Sequence, residues 1–370
     1  MKIYRSIAFL AAAVLLTGPA GSVVISARAE YLVYSGGITS KTGPGAGSLS
    51  EAPAEAPAST AQTGVITIGE MPAADGPQAD LPAETSAAQA EAILSAEAGA
   101  VSAQTQDAAA GETVAKNGYH NGARIGLNSA WQFAYHSAIH TGEAVMYTAP
   151  SGRKDRVVAV NAGHGTAGGE SVKTLCHPDG TKKVTGGSTA AGAVKATAVS
   201  SGMVFQDGTR ESAVTLRMAR ILRDRLLAEG YDVLMIRDGD DVQLDNIART
   251  VISNNTADIH IALHWDGDGL SYDKGAFYMS VPDALKSMEP VKSCWQQHEA
   301  LGNALISGLQ TQGIKIWGSN PLDMDLTQTS YSTIPSVDIE LGNQCSDHSD
   351  ARLAAEAEGL VRGIGVFFGF

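Results

Sequence analysis

The sequence predicts an open α/β fold over residues 151–370, and three observations carry that prediction. Strand and helix signals alternate along this stretch. Its first strand, Arg156 to Val160, reads as a short apolar run buried on both faces and ending at Asn161. Upstream, the 78 residues from Lys41 to Gly118 hold no Phe, Trp or Tyr but carry 22 Ala and 6 of the 13 Pro. Such a stretch cannot bury enough apolar surface to offset its ordering entropy, so it reads as a disordered linker. The remaining length of about 220 residues suits one α/β core.

Taken in order, the first element is a leader over residues 1–29. Lys2 and Arg5 precede an apolar run from Ile7 to Leu16, the pattern of an export signal and too short to span a bilayer. Ala27-Arg28-Ala29 offers small residues at cleavage spacing before Glu30. The alternative is a retained anchor, a membrane tether spanning Ser6 to Ile25 with Pro19 and Gly21 interrupting it. Either way the rest of the chain is expected outside the cytoplasm, secreted or in the cell envelope. Residues 30–118 form the linker. Within it, Glu51 to Ala58 is a semi-rigid spacer, and Ser86 to Ala98 is a weak helix ended by Gly99.

Residues 119–150 bring aromatics back and read as a helical lead-in. Asn128-Ser129 resembles an N-cap, Ala130 to His140 carries Trp131, Phe133, Tyr135 and Ile139, and Gly142 stops it. His136 and His140 are four apart, but no carboxylate accompanies them, so a docking helix is preferred to a metal pair. That helix either finishes the core of the next domain or shields its cleft, and the first is favoured.

From Arg156 the elements follow quickly. Arg156 to Val160 is a buried strand ending in Asn161-Ala162-Gly163-His164-Gly165. Residues 166–210 form a long irregular insertion containing Cys176-His177, read as a loop feature. Glu211 opens a helix to Glu229, capped by Gly230. Val233 to Ile236 is a strand and Leu244 to Asn254 a short helix. Ile259 to Leu263 is a strand ending at His264, and Ala276 to Val281 is another. Glu299 to Thr311 is helical, Ser336 to Glu340 a late strand, and Asp350 to Val366 the closing helix.

Charge and cysteine content exclude several function classes. The net charge is −13, divided almost evenly as −6 over 1–150 and −7 over 151–370. With no basic stripe, nucleic acid is not the partner. Cys176, Cys294 and Cys345 are too few for a disulfide scaffold, although one pair could bridge outside the cytoplasm. A monomer is the default expectation.

In open α/β sheets reactive groups gather beyond the carboxyl ends of the strands. His164, His264 and Glu340 fall at such ends, and Glu211 stands at a helix start. Two imidazoles, one carboxylate and an open position for water make a catalytic zinc site, and a second carboxylate can take that water's proton. His260 and His264 are also four apart, but on a strand they are separated by roughly 13 Å and cannot share a metal. His260 is therefore expected to pack or hydrogen-bond.

The words of these blocks then point further. Val157-Val-Ala-Val-Asn-Ala-Gly-His-Gly165 resembles the opening strand of the zinc-dependent N-acetylmuramoyl-L-alanine amidases. Glu211-Ser-Ala-Val-Thr-Leu216 is similar to their helix-opening block. Tyr231 to Arg237 and Leu244 to Arg249 are similar to the strand and helix that follow. Ala257-Asp-Ile-His-Ile-Ala-Leu-His264 resembles the strand delivering the second His, and Pro335-Ser-Val-Asp-Ile-Glu-Leu-Gly342 the segment carrying the catalytic Glu. The blocks stand in the family's order over most of 155–370.

The resemblance implies a mostly parallel mixed sheet flanked by helices on both faces. It also implies one Zn2+ on His164, Glu211 and His264, with Glu340 as general base and acid. The implied reaction is hydrolysis of the amide between N-acetylmuramic acid and L-alanine in peptidoglycan, with zinc-bound water as nucleophile. Three departures stand out. Asn161-Ala162 replace the usual Asp-Pro, Trp265-Asp266 follow the second His in place of small residues, and the insertion 166–210 is longer than usual. They bear on the shape of the pocket. The competing readings are another zinc peptidase or carboxypeptidase acting on stem peptides, and a non-catalytic wall-binding scaffold.

Overall fold

The computed structural model describes residues 113–370. The leader, the spacer at Glu51 to Ala58 and the helix at Ser86 to Ala98 lie outside the described residues. The strands are β1 (Arg124–Gly126), β2 (Glu143–Tyr147), β3 (Val157–Ala162), β4 (Lys173–Leu175), β5 (Lys195–Thr197), β6 (Asp232–Met235), β7 (Ile259–Asp266), β8 (Phe277–Ser280), β9 (Leu322–Asp323) and β10 (Ser336–Asn343). The helices are α1 (Glu211–Ala228), α2 (Asn246–Thr256), α3 (Val291–Thr311), α4 (Thr327–Tyr331) and α5 (Asp350–Phe368).

Eight strands make one sheet in the order β1-β2-β6-β3-β7-β10-β8-β9. The centre, β6-β3-β7-β10, is parallel, and β1, β2 and β8 join antiparallel. All six residues of β3 are buried, as a central strand covered on both faces requires. Side chains alternate between the faces. Val158, Val160 and Ala162 join Ile259, Ile261, Val337 and Ile339 in a core with α1, α3 and α5. Val157 and Ala159 face the other way, into a second core with Ala248 and Ile252 of α2. The sheet is thus mixed and mostly parallel, with helices on both faces.

Helix α1 illustrates how local sequence sets an element. Val214, Met218, Leu222 and Leu226 recur every four residues and are all fully buried. A fully buried Leu contributes roughly 1.5–3 kcal/mol relative to leaving it exposed. The helix ends where Gly230, at φ +89°, donates to Leu227 O at 3.1 Å while Tyr231 N reaches Leu226 O at 3.0 Å. This is a Schellman closure, for which glycine's freedom at positive φ is suited.

The lead-in 119–150 differs from its sequence expectation. Only Ala134–His136 is helical, as a single 3-10 turn, and β1 and β2 flank it. Asn128 caps no helix; its Oδ1 accepts from Ala130 N at 2.9 Å in a local turn, and the 3-10 turn is preceded by Phe133. The helix does not propagate because its amides are taken elsewhere. Asp245 Oδ2 accepts from Ala138 N at 2.6 Å and Ile139 N at 2.9 Å, while Asp245 Oδ1 caps α2 through Ala248 N at 2.8 Å. The four-residue helical spacing of His136 and His140 therefore does not exist. The segment finishes the core instead, since β2 pairs with β6 and Ala144 and Met146 are fully buried.

The linker boundary also moves. Residues 113–118, expected in the linker, pack on the fold: Ala115 is buried, Asn117 Nδ2 donates to Thr256 O at 2.6 Å, and Lys116 pairs with Asp258. The insertion is less irregular than expected, because β4 and β5 form a hairpin within it. The three cysteines are free.

Candidate metal centre

On the face of the parallel strands opposite α1, α3 and α5, the alternation places polar residues in neighbouring rows. Asn161 of β3, His260 and His264 of β7, and Ser336, Asp338 and Glu340 of β10 share it. The register puts Ser336 beside His260 and Glu340 beside His264. The reactive rows lie towards the carboxyl ends of the strands, where an open α/β sheet binds its ligands.

His164 sits just past β3 with φ at 65°, a left-handed conformation that costs a non-glycine residue free energy. Two fully buried arginines hold this turn. Arg249 donates to Ala162 O at 3.1 Å, His164 O at 2.6 Å and Thr166 Oγ1 at 2.8 Å. Arg237 donates to Ala162 O at 3.2 Å and Gly163 O at 3.0 Å. Neither guanidinium has a carboxylate within ion-pair distance among the described residues. Burial lowers Arg237 to about 10 and Arg249 to about 9, the latter with help from Arg237, and both stay charged at neutral pH. His164 Nδ1 lies 2.8 Å from Ser200 O and donates to it, which leaves the Nε2 lone pair facing inwards.

Glu211 is the first residue of α1, where the helix dipole favours a carboxylate. Its Oε2 accepts from Met203 N at 2.8 Å and its Oε1 from Trp265 N at 3.0 Å. Burial opposes ionisation, yet the hydrogen bonds and charge of His164 and His264 hold the carboxyl well below its ordinary range.

His264 completes the group. Its Nδ1 lies 3.0 Å from His164 Nε2 and 3.1 Å from Glu211 Oε1, and His164 Nε2 is 2.9 Å from the same Oε1. The close approach depends on Gly163, where a Cβ would fall 2.2 Å from His264 Cε1. Three lone-pair atoms converging this tightly repel one another unless a proton or cation lies among them. Burial alone would depress His264, but Asp338, Glu211 and Glu340 outweigh it and hold it at about 10. The local field thus favours a positive charge, and these three side chains form the group among the described residues that could hold a metal ion.

Glu340 borders the same cleft with an oxygen, Oε2, that is buried and without a hydrogen-bond partner. Burial pushes its carboxyl well above the usual range, partly offset by His264 and reinforced by Asp338. The cleft has a volume of about 640 Å³. Asn161, Ser188, Asn246, Met324 and Gln328 line its walls.

All four residues singled out by sequence converge here, and His260 is elsewhere. His260 is fully buried, with Nδ1 3.4 Å from Ser336 Oγ, and burial together with Arg249 lowers it to about 3. Sequence reasoning missed Asp338, Arg237 and Arg249. The polar row Ser336, Asp338, Glu340 in a strand buried on both faces was a readable signal for the first. The insertion was read as a loop, and its role is structural. His177 is fully buried, 2.9 Å from Asp325 Oδ1, and Val184 N donates to Asp325 Oδ2 at 2.7 Å. These bonds fasten the insertion to the 322–328 segment along the cleft wall.

With this geometry in hand, comparison with known proteins decides the family. The sequence pattern of the N-acetylmuramoyl-L-alanine amidases matches residues 158–361, more than half of the chain. The chain belongs to the N-acetylmuramoyl-L-alanine amidase family. It is accordingly a peptidoglycan amidase, and its match spans the strands and helix that carry His164, Glu211, His264 and Glu340. Among solved structures, the amidase Ami1 of Mycobacterium smegmatis is 19% identical, with a TM-score of 0.49 over 58% of this chain and 97% of that one. The amidase AmiC2 of Nostoc punctiforme is 16% identical, with a TM-score of 0.43 over 59% and 100%. The CwlV catalytic domain of Bacillus (Paenibacillus) polymyxa is 17% identical, with a TM-score of 0.41 over 58% and 98%. A comparison with curated proteins gave no match. No helix among the described residues is long and apolar enough to cross a membrane.

Proposed function

We propose that the amidase is a zinc enzyme that cleaves the amide between the lactyl group of N-acetylmuramic acid and L-alanine of the stem peptide. The observation supporting this reading is the convergence of His164 Nε2, Glu211 Oε1 and His264 Nδ1 within 2.9–3.1 Å of one another. Ligand atoms about 2.0–2.2 Å from a tetrahedral zinc are roughly 3.3 Å apart, so the donor set and its spacing fit that ion. Bound there, zinc would supply a Lewis acid that polarises the scissile carbonyl and acidifies the attacking water.

The chain's own residues do the rest. Glu211, pinned by two backbone amides, and His164, pinned through Ser200, keep the donor atoms in place without reorganisation. Glu340, beside His264 in the sheet, takes a proton from the attacking water. The water oxygen bonds to the carbonyl carbon, the C–N bond breaks, and Glu340 returns the proton to the departing alanine nitrogen. The domain organisation read from the sequence fits an exported enzyme: a leader over 1–29, a linker, and a catalytic fold to whose sheet β1 and β2 of the lead-in also contribute.

Digestion of purified peptidoglycan with and without a chelator tests the reading. New L-alanine amino termini, lost on chelation and restored by zinc, are expected. Released terminal amino acids would instead indicate a carboxypeptidase, and new reducing ends a glycan-cleaving activity.

A further inference from the structure

Asp338 is a half-buried carboxylate on the cleft wall that the mechanism above does not use. It lies on β10 two residues before Glu340 and on the same face. Its Oδ1 is sealed from solvent and has no hydrogen-bond partner. Its Oδ2 is 3.7 Å from His264 Nε2, the ring nitrogen opposite the one that faces His164 and Glu211. Two buried aspartates elsewhere in the fold are well partnered. Asp232 accepts from Ala149 N at 2.9 Å and Arg153 at 2.6 Å, and Asp325 accepts from His177 and Val184. Asp338 has only the edge of one imidazole.

An imidazole that gives one nitrogen's lone pair to a metal must carry its proton on the other nitrogen. In His264 the inward nitrogen is Nδ1, so the proton belongs on Nε2, the atom aimed at Asp338. The present separation of 3.7 Å is longer than a hydrogen bond, so the proposed contact is one that forms when the ring gives its inner lone pair to the ion. A carboxylate accepting the outer N–H of a ligating histidine fixes ring orientation and tautomer and makes the inner nitrogen a better donor.

We propose that Asp338 is a positioning residue of the metal centre, accepting the Nε2–H of His264 so that Nδ1 is held free for the ion. The proposal rests on the zinc reading of the site. Asp338 is not one of the three metal-group residues and acts through the ring of His264. It explains why a strand buried on both faces places a carboxylate beside a histidine, where an apolar residue would pack at lower desolvation cost.

The test measures zinc affinity of the full chain by competition with a chromophoric chelator, for the wild type, Asp338→Asn and Asp338→Ala. Asp338→Ala is expected to weaken zinc about 10–100-fold, the usual effect of losing such a partner. Asp338→Asn, whose amide oxygen still accepts an N–H, is expected to lose less. Thermal midpoints of the metal-free proteins are expected to fall by less than the affinity loss, because Asp338 also favours the charged form of the His264 ring in the absence of metal. In zinc-loaded wild type, the ¹⁵N shifts of His264 are expected to show a protonated Nε2, and in Asp338→Ala a mixture of ring states. Unchanged affinity and tautomer in both variants would overturn the proposal while leaving the zinc reading intact. A wild type that binds no zinc would remove both. A metal-free stability loss as large as the affinity loss would make Asp338 a general structural residue and also overturn it.

Discussion

Glu340 and His264 are register partners on adjacent parallel strands, and one oxygen of Glu340 is buried without a hydrogen-bond partner. A strand pair is a rigid support, so the carboxylate beside the metal group is positioned by sheet geometry and not by a flexible loop. Replacing Glu340 by Ala or Gln is expected to leave zinc content at the wild-type level. Turnover of purified peptidoglycan should fall by about 10²–10⁴-fold, the usual contribution of a positioned acid–base group. Zinc analysis alongside the peptidoglycan assay checks this, and wild-type turnover in either variant would remove Glu340 from its role.

Gly163 controls the ring of His264. A Cβ at this position would lie 2.2 Å from Cε1, closer than any real contact. Gly163→Ala should push the imidazole out of line and weaken zinc at least about tenfold, in the range seen when a ligand's support is lost. Chelator competition measures the effect, and unaltered affinity would mean that the ring has room to give.

Arg249 holds the turn that carries His164. Its loss would leave His164 O and Asn161 Oδ1 without the donor they use inside the fold, while Ala162 O keeps Arg237 and Leu244 O keeps Thr166 Oγ1. Each buried group so orphaned costs about 1–3 kcal/mol, although water can partly replace the donor. Arg249→Met is expected to destabilise the protein by about 2–4 kcal/mol in denaturant unfolding. Arg249→Lys should recover only part of this, because one ammonium cannot reach the same fork of acceptors.

Glu356 on α5 is fully buried, and burial raises its carboxyl to about 8, against the opposing pull of Arg352 at 2.7 Å. Its folded pKa lies above its unfolded value. The unfolded chain therefore releases this proton first, and stability falls as pH rises from about 4.5 to 8. Glu356→Gln keeps the acceptor for Arg352 and abolishes the ionisation. It is expected to stabilise the protein by about 2–4 kcal/mol at pH 8–9 and to change little at pH 4. Urea midpoints at the two pH values decide the matter, and equal shifts at both would show that the carboxyl ionises normally in the fold.

Where the apolar period was strong and uninterrupted, sequence and structure agree closely. Helix α1 carries its four-residue stripe over Glu211–Ala228, and β3 is apolar throughout because both faces are covered. The lead-in shows where local reading fails. Asn128 makes a local turn and not a helix cap, and the expected helix is absent because Asp245, more than a hundred residues away, takes the amides of Ala138 and Ile139. Asp245 also caps α2, so one side chain organises two segments that no local window joins. The two arginines were equally hidden. Nothing in a sequence marks a guanidinium as buried, or says that its acceptors are carbonyls of a turn more than seventy residues away.

The α/β class, the order of the central strands and helices, and the four candidate residues His164, Glu211, His264 and Glu340 were legible along the chain. They were so because hydrophobic periodicity and residue chemistry are local properties of the chain. Folding alone shows that His264 turns Nδ1 inwards and Nε2 towards Asp338, that Gly163 leaves space for that ring, and that β1 and β2 complete the same sheet. Those outcomes depend on strand register, rotamers and long-range hydrogen bonds, which exist only after the chain has closed on itself.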